Sequence, residues 1–163
     1  MKVLTLRGSD KSGKTTTIKL LRDMYLVGCG SENGFYYQGR NDFTAVYEVR
    51  IEQNTYKIIV TSYGDKKDVL CKQLLKVYNF YFNTTLNKYD NLIIEELNRQ
   101  GFRLFVCASR THGGTCDLLE NICNFNEQNL TVIKKEKKYD DEAKAKEIYN
   151  EINKILSHKS ADS

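Results

Sequence analysis

Gly8-Ser9-Asp10-Lys11-Ser12-Gly13-Lys14-Thr15 fits the pattern GxxxxGK[ST], the phosphate-binding loop or Walker A motif, and it stands directly behind an apolar run. The bare pattern arises by chance in on the order of one chain in two hundred of this length, so its flanks decide what it means. Upstream, Val3, Leu4, Thr5 and Leu6 are β-rich and long enough for a short buried strand. Downstream, Ile18, Leu21 and Tyr25 recur at helical spacing through a segment that opens at Thr15. Strand, loop and helix is the order that such a loop needs. Gly8 and Gly13 let successive amides turn inward on an anion, and the helix N-terminus adds partial positive charge at the same point.

The chemistry expected of these residues is binding of a nucleotide polyphosphate. Gly8, Ser9, Asp10, Lys11, Ser12, Gly13, Lys14, Thr15 and Thr16 form the cradle. Within it Lys14 reaches the β- and γ-phosphate oxygens, and the Thr15 hydroxyl ligates a bridging magnesium ion.

The chain has 163 residues, room for one domain with a core of its own, here residues 1–158 with a disordered polar tail at 159–163. Neither a membrane-length apolar stretch nor a basic-then-apolar leader is read in it, so the expected place is the cytoplasm. Five cysteines lack zinc spacing and lie in apolar contexts such as Val106-Cys107-Ala108, as reduced, mostly buried thiols do. The net charge of +4 is spread, or pooled in Lys134-Lys135-Glu136-Lys137-Lys138, where an acid interrupts the run. That segment reads as a solvated strand end or loop, and nucleic acid is not an expected partner.

Beyond the first helix, Gly28 to Gly34 is a flexible turn, and the segment to Asp42 has no clear periodicity, as in an acceptor or switch loop. Residues 43–51 alternate and predict a half-exposed strand. Glu52-Gln53-Asn54 turns into a more apolar strand over 56–62, so the two make an antiparallel hairpin at the sheet edge, second strand inward. Helices are expected over 66–82 and 89–100, a buried strand over 102–108, a helix through Leu118, Leu119 and Ile122, a strand over 130–134 and a helix over 140–157.

Magnesium nucleotide chemistry wants an acid at the end of a neighbouring strand. Thr61 and Ser62 occupy that position, and Asp65 follows a turn later. Asp65 is therefore the candidate for the metal site beside Thr15 and for ordering water, and it doubles as an N-cap for the next helix. Gly64 permits backbone contact with the γ-phosphate. Ligands of open α/β sheets bind beyond the carboxyl ends of the strands, where the loop Ser109 to Thr115 leaves its strand; Arg110 there can stack on a base or pair with a phosphate. Lys14, Asp65 and Arg110 are the candidate catalytic set. His112 has no recognisable acid partner and reads as an exposed loop histidine. Asn87-Lys88-Tyr89-Asp90 matches NKxD, which reads guanine when it ends a buried strand, but here it falls between two helices and reads as a decoy.

Gly8-Ser9-Asp10-Lys11-Ser12-Gly13-Lys14-Thr15-Thr16 resembles the GxDxSGKTT loop of nucleotide kinases similar to thymidylate kinase, and the element order resembles small P-loop ATP-binding proteins of phage and bacteria. The resemblance implies a three-layer α/β P-loop NTPase fold, mostly parallel with the antiparallel edge hairpin, and ATP with magnesium as cofactors. The kinase family's Asp-Arg-aromatic acceptor motif and arginine-rich lid are not in this sequence. Arg40 and Arg110 are the loop arginines placed to substitute. Two activities follow as expectations: transfer of the γ-phosphate to a small-molecule acceptor, or slow hydrolysis in a nucleotide-gated module that contacts a protein partner.

Overall fold

The computed structural model describes residues 1–30, 34–123, 129–136 and 139–157. The chain runs β1 (Lys2–Arg7), α1 (Lys14–Leu21), β2 (Tyr36–Gln38), β3 (Phe43–Ile51), β4 (Asn54–Thr61), α2 (Lys67–Phe82), α3 (Leu92–Arg99), β5 (Phe102–Ser109), α4 (Gly114–Cys123), β6 (Leu130–Lys134) and α5 (Asp141–Ser157). Six strands form one sheet in the order β2-β3-β4-β5-β1-β6. β4, β5, β1 and β6 are mutually parallel, whereas β2 and β3 run antiparallel to their neighbours.

Helices cover both faces of the sheet, and strand alternation decides which residue faces which. Leu4, Leu6, Leu104, Val106 and Ala108 pack with Ile18 and Leu21 of α1 and Ala145, Ile148 and Ile152 of α5. Val3, Ile59, Phe105 and Cys107 pack with Leu70, Leu74 and Val77 of α2, Ile93 and Leu97 of α3, and Leu118 and Leu119 of α4. Each fully buried Leu, Ile or Phe contributes about 1.5–3 kcal/mol. Strands buried on both faces explain why Leu104 to Ala108 reads as a continuous apolar run.

Three details differ from the periodicity. The first helix continues into a π-helical turn, Arg22–Leu26, whose wider winding puts Leu26 in the core and leaves Tyr25 stacked on Tyr149 with centroids 4.7 Å apart. The hairpin β3–β4 is antiparallel as expected, with a tight turn at Glu52 and Gln53, but it does not form the edge. β2 adds outside it, pairing Tyr36 with Ala45, within the segment read as an acceptor or switch loop. The first half of β3 is not half-exposed, since Phe43 through Tyr47 are all buried, whereas Glu48 and Arg50 are exposed around buried Val49 and keep the expected alternation. Thr44 sits there because its hydroxyl meets that of Thr61 at 2.8 Å and bonds Gln73 Oε1 of α2 at 2.7 Å. The expected tail at 159–163 lies outside the described residues, as do Ser31 to Asn33 of the expected flexible turn.

Candidate functional site

The loop between β1 and α1 leaves the carboxyl edge of the parallel strands, anchored by the Gly8 amide donating to the Ser109 carbonyl at 3.0 Å. Gly13 is the residue before α1, with φ +91°, a left-handed conformation that a side chain resists. Among the described residues no side chain caps the first turn of α1. The first-turn amides thus face the loop without a side-chain acceptor, the condition for drawing in an anion. Lys14 is only 5% exposed, and its ammonium donates to the carbonyls of Gly8 (2.7 Å) and Ser9 (2.9 Å). Burial holds this ammonium below the ordinary lysine range, with Asp65 opposing that shift and Arg110 adding to it. The Ser12 hydroxyl is buried with no hydrogen-bond partner among the described residues, whereas Ser9, Asp10, Lys11 and Thr16 are exposed. A buried cation and an unpaired buried hydroxyl beside uncapped amides suit a phosphate chain.

Asp65, 58% exposed, stands 3.9 Å from the Lys14 ammonium and 3.6 Å from Arg110 Nε. The candidate catalytic residues Lys14, Asp65 and Arg110 are therefore neighbours, brought together from α1, the β4 exit and the β5 exit. Arg110 is 45% exposed, and its amide donates to Thr115 Oγ1 at 3.3 Å. Arg40 is exposed, as is His112, whose Nδ1 lies 3.0 Å from Thr111 Oγ1. Gly64 has a packing reason to be glycine: a Cβ there would strike the Ala108 carbonyl, so the loop lies flush on β5.

Among the described residues no hydrogen bond or ion pair joins Asp65 to Thr15. The carboxylate at Thr15 belongs to Asp42, whose Oδ1 accepts from Thr15 Oγ1 at 3.3 Å and from Ser62 Oγ at 2.9 Å. Asp42 precedes β3 and is set by backbone: Ser62 exchanges bonds with Phe43 at 3.0 Å, and the Gly39 amide bonds the Asp42 carbonyl at 2.7 Å. The Tyr63 hydroxyl fills the place where Gly39 would carry a side chain. Sequence reasoning missed Asp42 because it sought an acid after β4, not before β3. The hairpin register, centred on Glu52 and Gln53, carries the signal, since it lays Phe43 beside Ser62.

Behind the loop the expectation of a solvated basic run is corrected for Lys135. Its side chain is 0% exposed and pairs with Asp140 at 2.6 Å and Asp141 at 2.8 Å. Strand alternation continues past β6, so Lys135 shares the buried side with Ile133 while Lys134 and Glu136 are exposed; Lys137 and Lys138 lie outside the described residues. Burial pulls the Lys135 ammonium down, and the bonds to Asp140 and Asp141 more than reverse it, raising it above the ordinary lysine value. The Asp141 Oδ1 also accepts from Thr17 Oγ1 at 3.3 Å and lies only 2.8 Å from where a Cβ on Gly13 would stand. The Lys135 amide bonds Arg7 at 2.8 Å and its carbonyl closes on Gly8, so this ion pair braces the loop from behind.

A cation at the loop would have to be held by Thr15, one carboxylate, nucleotide oxygens and water, because no group of three His, Cys, Asp or Glu is arranged for a metal among the described residues. That oxygen set is what magnesium takes, so the residues fit it. Asn87 to Asp90 falls between α2 and α3 and ends no strand, the placement expected from the sequence, and it lines a cavity of about 900 Å³ with Lys67, Lys72 and Asn121. Asp90 Oδ1 is used to bond the Leu92 amide at 2.8 Å. All five cysteines are free; Cys107, Cys116 and Cys123 are buried, and burial pushes Cys107 to about 12. No described helix is long and apolar enough to cross a membrane. Compared with family models, curated proteins and solved structures, the chain matches none.

Proposed function

We propose that the chain has a P-loop NTPase fold of three layers, binds ATP with magnesium through residues 8–16, and transfers or hydrolyses the γ-phosphate in the cytoplasm. The observation that carries the reading is the state of Lys14: a buried ammonium resting on two loop carbonyls, at the mouth of an uncapped helix, with an exposed acid 3.9 Å away. Those partners are weak beside a triphosphate, which offers several anionic oxygens to the same ammonium. Magnesium, when bound, neutralises charge on the phosphate chain and on the oxygens that bear it in phosphoryl transfer. Thr15 would hold it. Lys14 and Arg110 would stabilise negative charge on the transferring group, and Asp65 holds both cations near their working positions until phosphate replaces it.

Transfer to a small-molecule acceptor is favoured by Arg110, an exposed guanidinium 3.6 Å from Asp65 that could exchange this carboxylate for a donor or acceptor phosphate. The alternative, a slow NTPase that gates a protein partner, draws on a different contact. Gly39 under Tyr63, and Asp42 on Ser62, tie the turn before β3 to the loop after β4, so that both segments beside the phosphate site would move together. The experiment is ADP release from magnesium ATP with and without a pool of nucleosides and nucleoside monophosphates. Stimulation by the pool is the expected result. Slow release indifferent to the pool transfers the assignment to the NTPase, and no release above a protein-free blank refutes both.

A further inference from the structure

We infer that Asp42, rather than Asp65, is the carboxylate of the magnesium site, acting with Thr15 and held in place by Ser62; this rests on the nucleotide reading above. Thr15 donates its proton to Asp42 Oδ1, which leaves the lone pairs of the hydroxyl oxygen for a cation. The 3.3 Å contact is long for O–H···O, where about 2.7–2.8 Å is usual, so Thr15 is oriented without being locked. Ser62 at 2.9 Å is the firmer anchor, and its own position is fixed by two bonds to the Phe43 backbone. Asp42 Oδ2 makes no hydrogen bond among the described residues and is available to a metal-bound water. Asp65 has other work: its Oδ1 serves both Lys14 and Arg110, whose positive charges would oppose a divalent cation beside it. The acid at the metal corner thus comes from the start of an antiparallel strand and lies 27 residues beyond Thr15.

The test is binding of ADP and of manganese, the latter a paramagnetic stand-in for magnesium read by its resonance spectrum, to wild type, Asp42→Asn and Asp65→Asn. The asparagine at 42 keeps an oxygen for Thr15 and Ser62 and removes the charge. Metal-free ADP affinity is expected to stay within about twofold in Asp42→Asn, while manganese affinity of the ADP complex falls about tenfold or more. Asp65→Asn is expected to change manganese affinity by less than about threefold. The opposite order, with Asp65→Asn the larger loss, overturns the assignment and leaves nucleotide binding standing. Failure of wild type to bind ADP at all overturns the nucleotide reading, and this inference with it. If Asp42→Asn does not fold, Ser62→Ala decides: loosening Asp42 is expected to weaken manganese several-fold, and unchanged affinity overturns the proposal.

Discussion

The two lysines that touch the loop, Lys14 in front and Lys135 behind, are both buried, yet their partners differ. Lys135 is closed by two carboxylates at 2.6 and 2.8 Å, while Lys14 has two loop carbonyls and one acid at 3.9 Å. Burial lowers the proton affinity of Lys14, whereas its partners raise that of Lys135. A cation with its charge already matched is a structural tie. One that is held by neutral carbonyls and a distant carboxylate keeps its charge for something else. The back of the loop is firmly tied, and under the proposed function the front exchanges its partners for phosphate.

The largest effect that sharpens this contrast is expected from Lys135→Met. It leaves Asp140 and Asp141 facing each other without the cation and lowers stability by about 3 kcal/mol, read by denaturant unfolding. The pH dependence follows. The Lys135 bond holds the Asp140 carboxyl below the ordinary aspartate value, so this stabilisation is present above that ordinary value and is lost as pH falls through the lowered one. The gap between wild type and Lys135→Met is therefore widest near neutrality and narrows in acid; on the alkaline side it persists until pH rises through the raised Lys135 value. A gap that widened in acid would break the account of the back of the loop.

A much smaller stability change is expected at the front. Asp65→Asn removes an exposed acid from two loose contacts and should shift stability by less than about 0.5 kcal/mol. A loss of several times that would mean that the front is as firmly tied as the back.

The same contrast explains what the sequence discloses. Contiguous features were legible: the loop, the buried strands with their continuous apolar runs, the hairpin, and helices α2 to α5. β2 was not, because Tyr36, Tyr37 and Gln38 carry no alternation, and their strand exists only through its pairing with β3. Lys135 was hidden by its neighbours, since averaging charge over 134–138 conceals a lysine that continues the strand's inward alternation toward Asp140 and Asp141. Asp42 was hidden by distance in sequence, being brought to Thr15 by hairpin register. Long-range pairings between charged groups are set by topology, and local pattern does not report them.

The measurement that bears most directly on the central claim is titration of magnesium ATP into wild type and Lys14→Ala, with folding of the variant verified by circular dichroism. Saturable binding by wild type, weakened at least about tenfold or 1.4 kcal/mol in Lys14→Ala, is the predicted result. Equal affinity in a folded variant, or no binding by wild type, would contradict the assignment of the loop as the phosphate site.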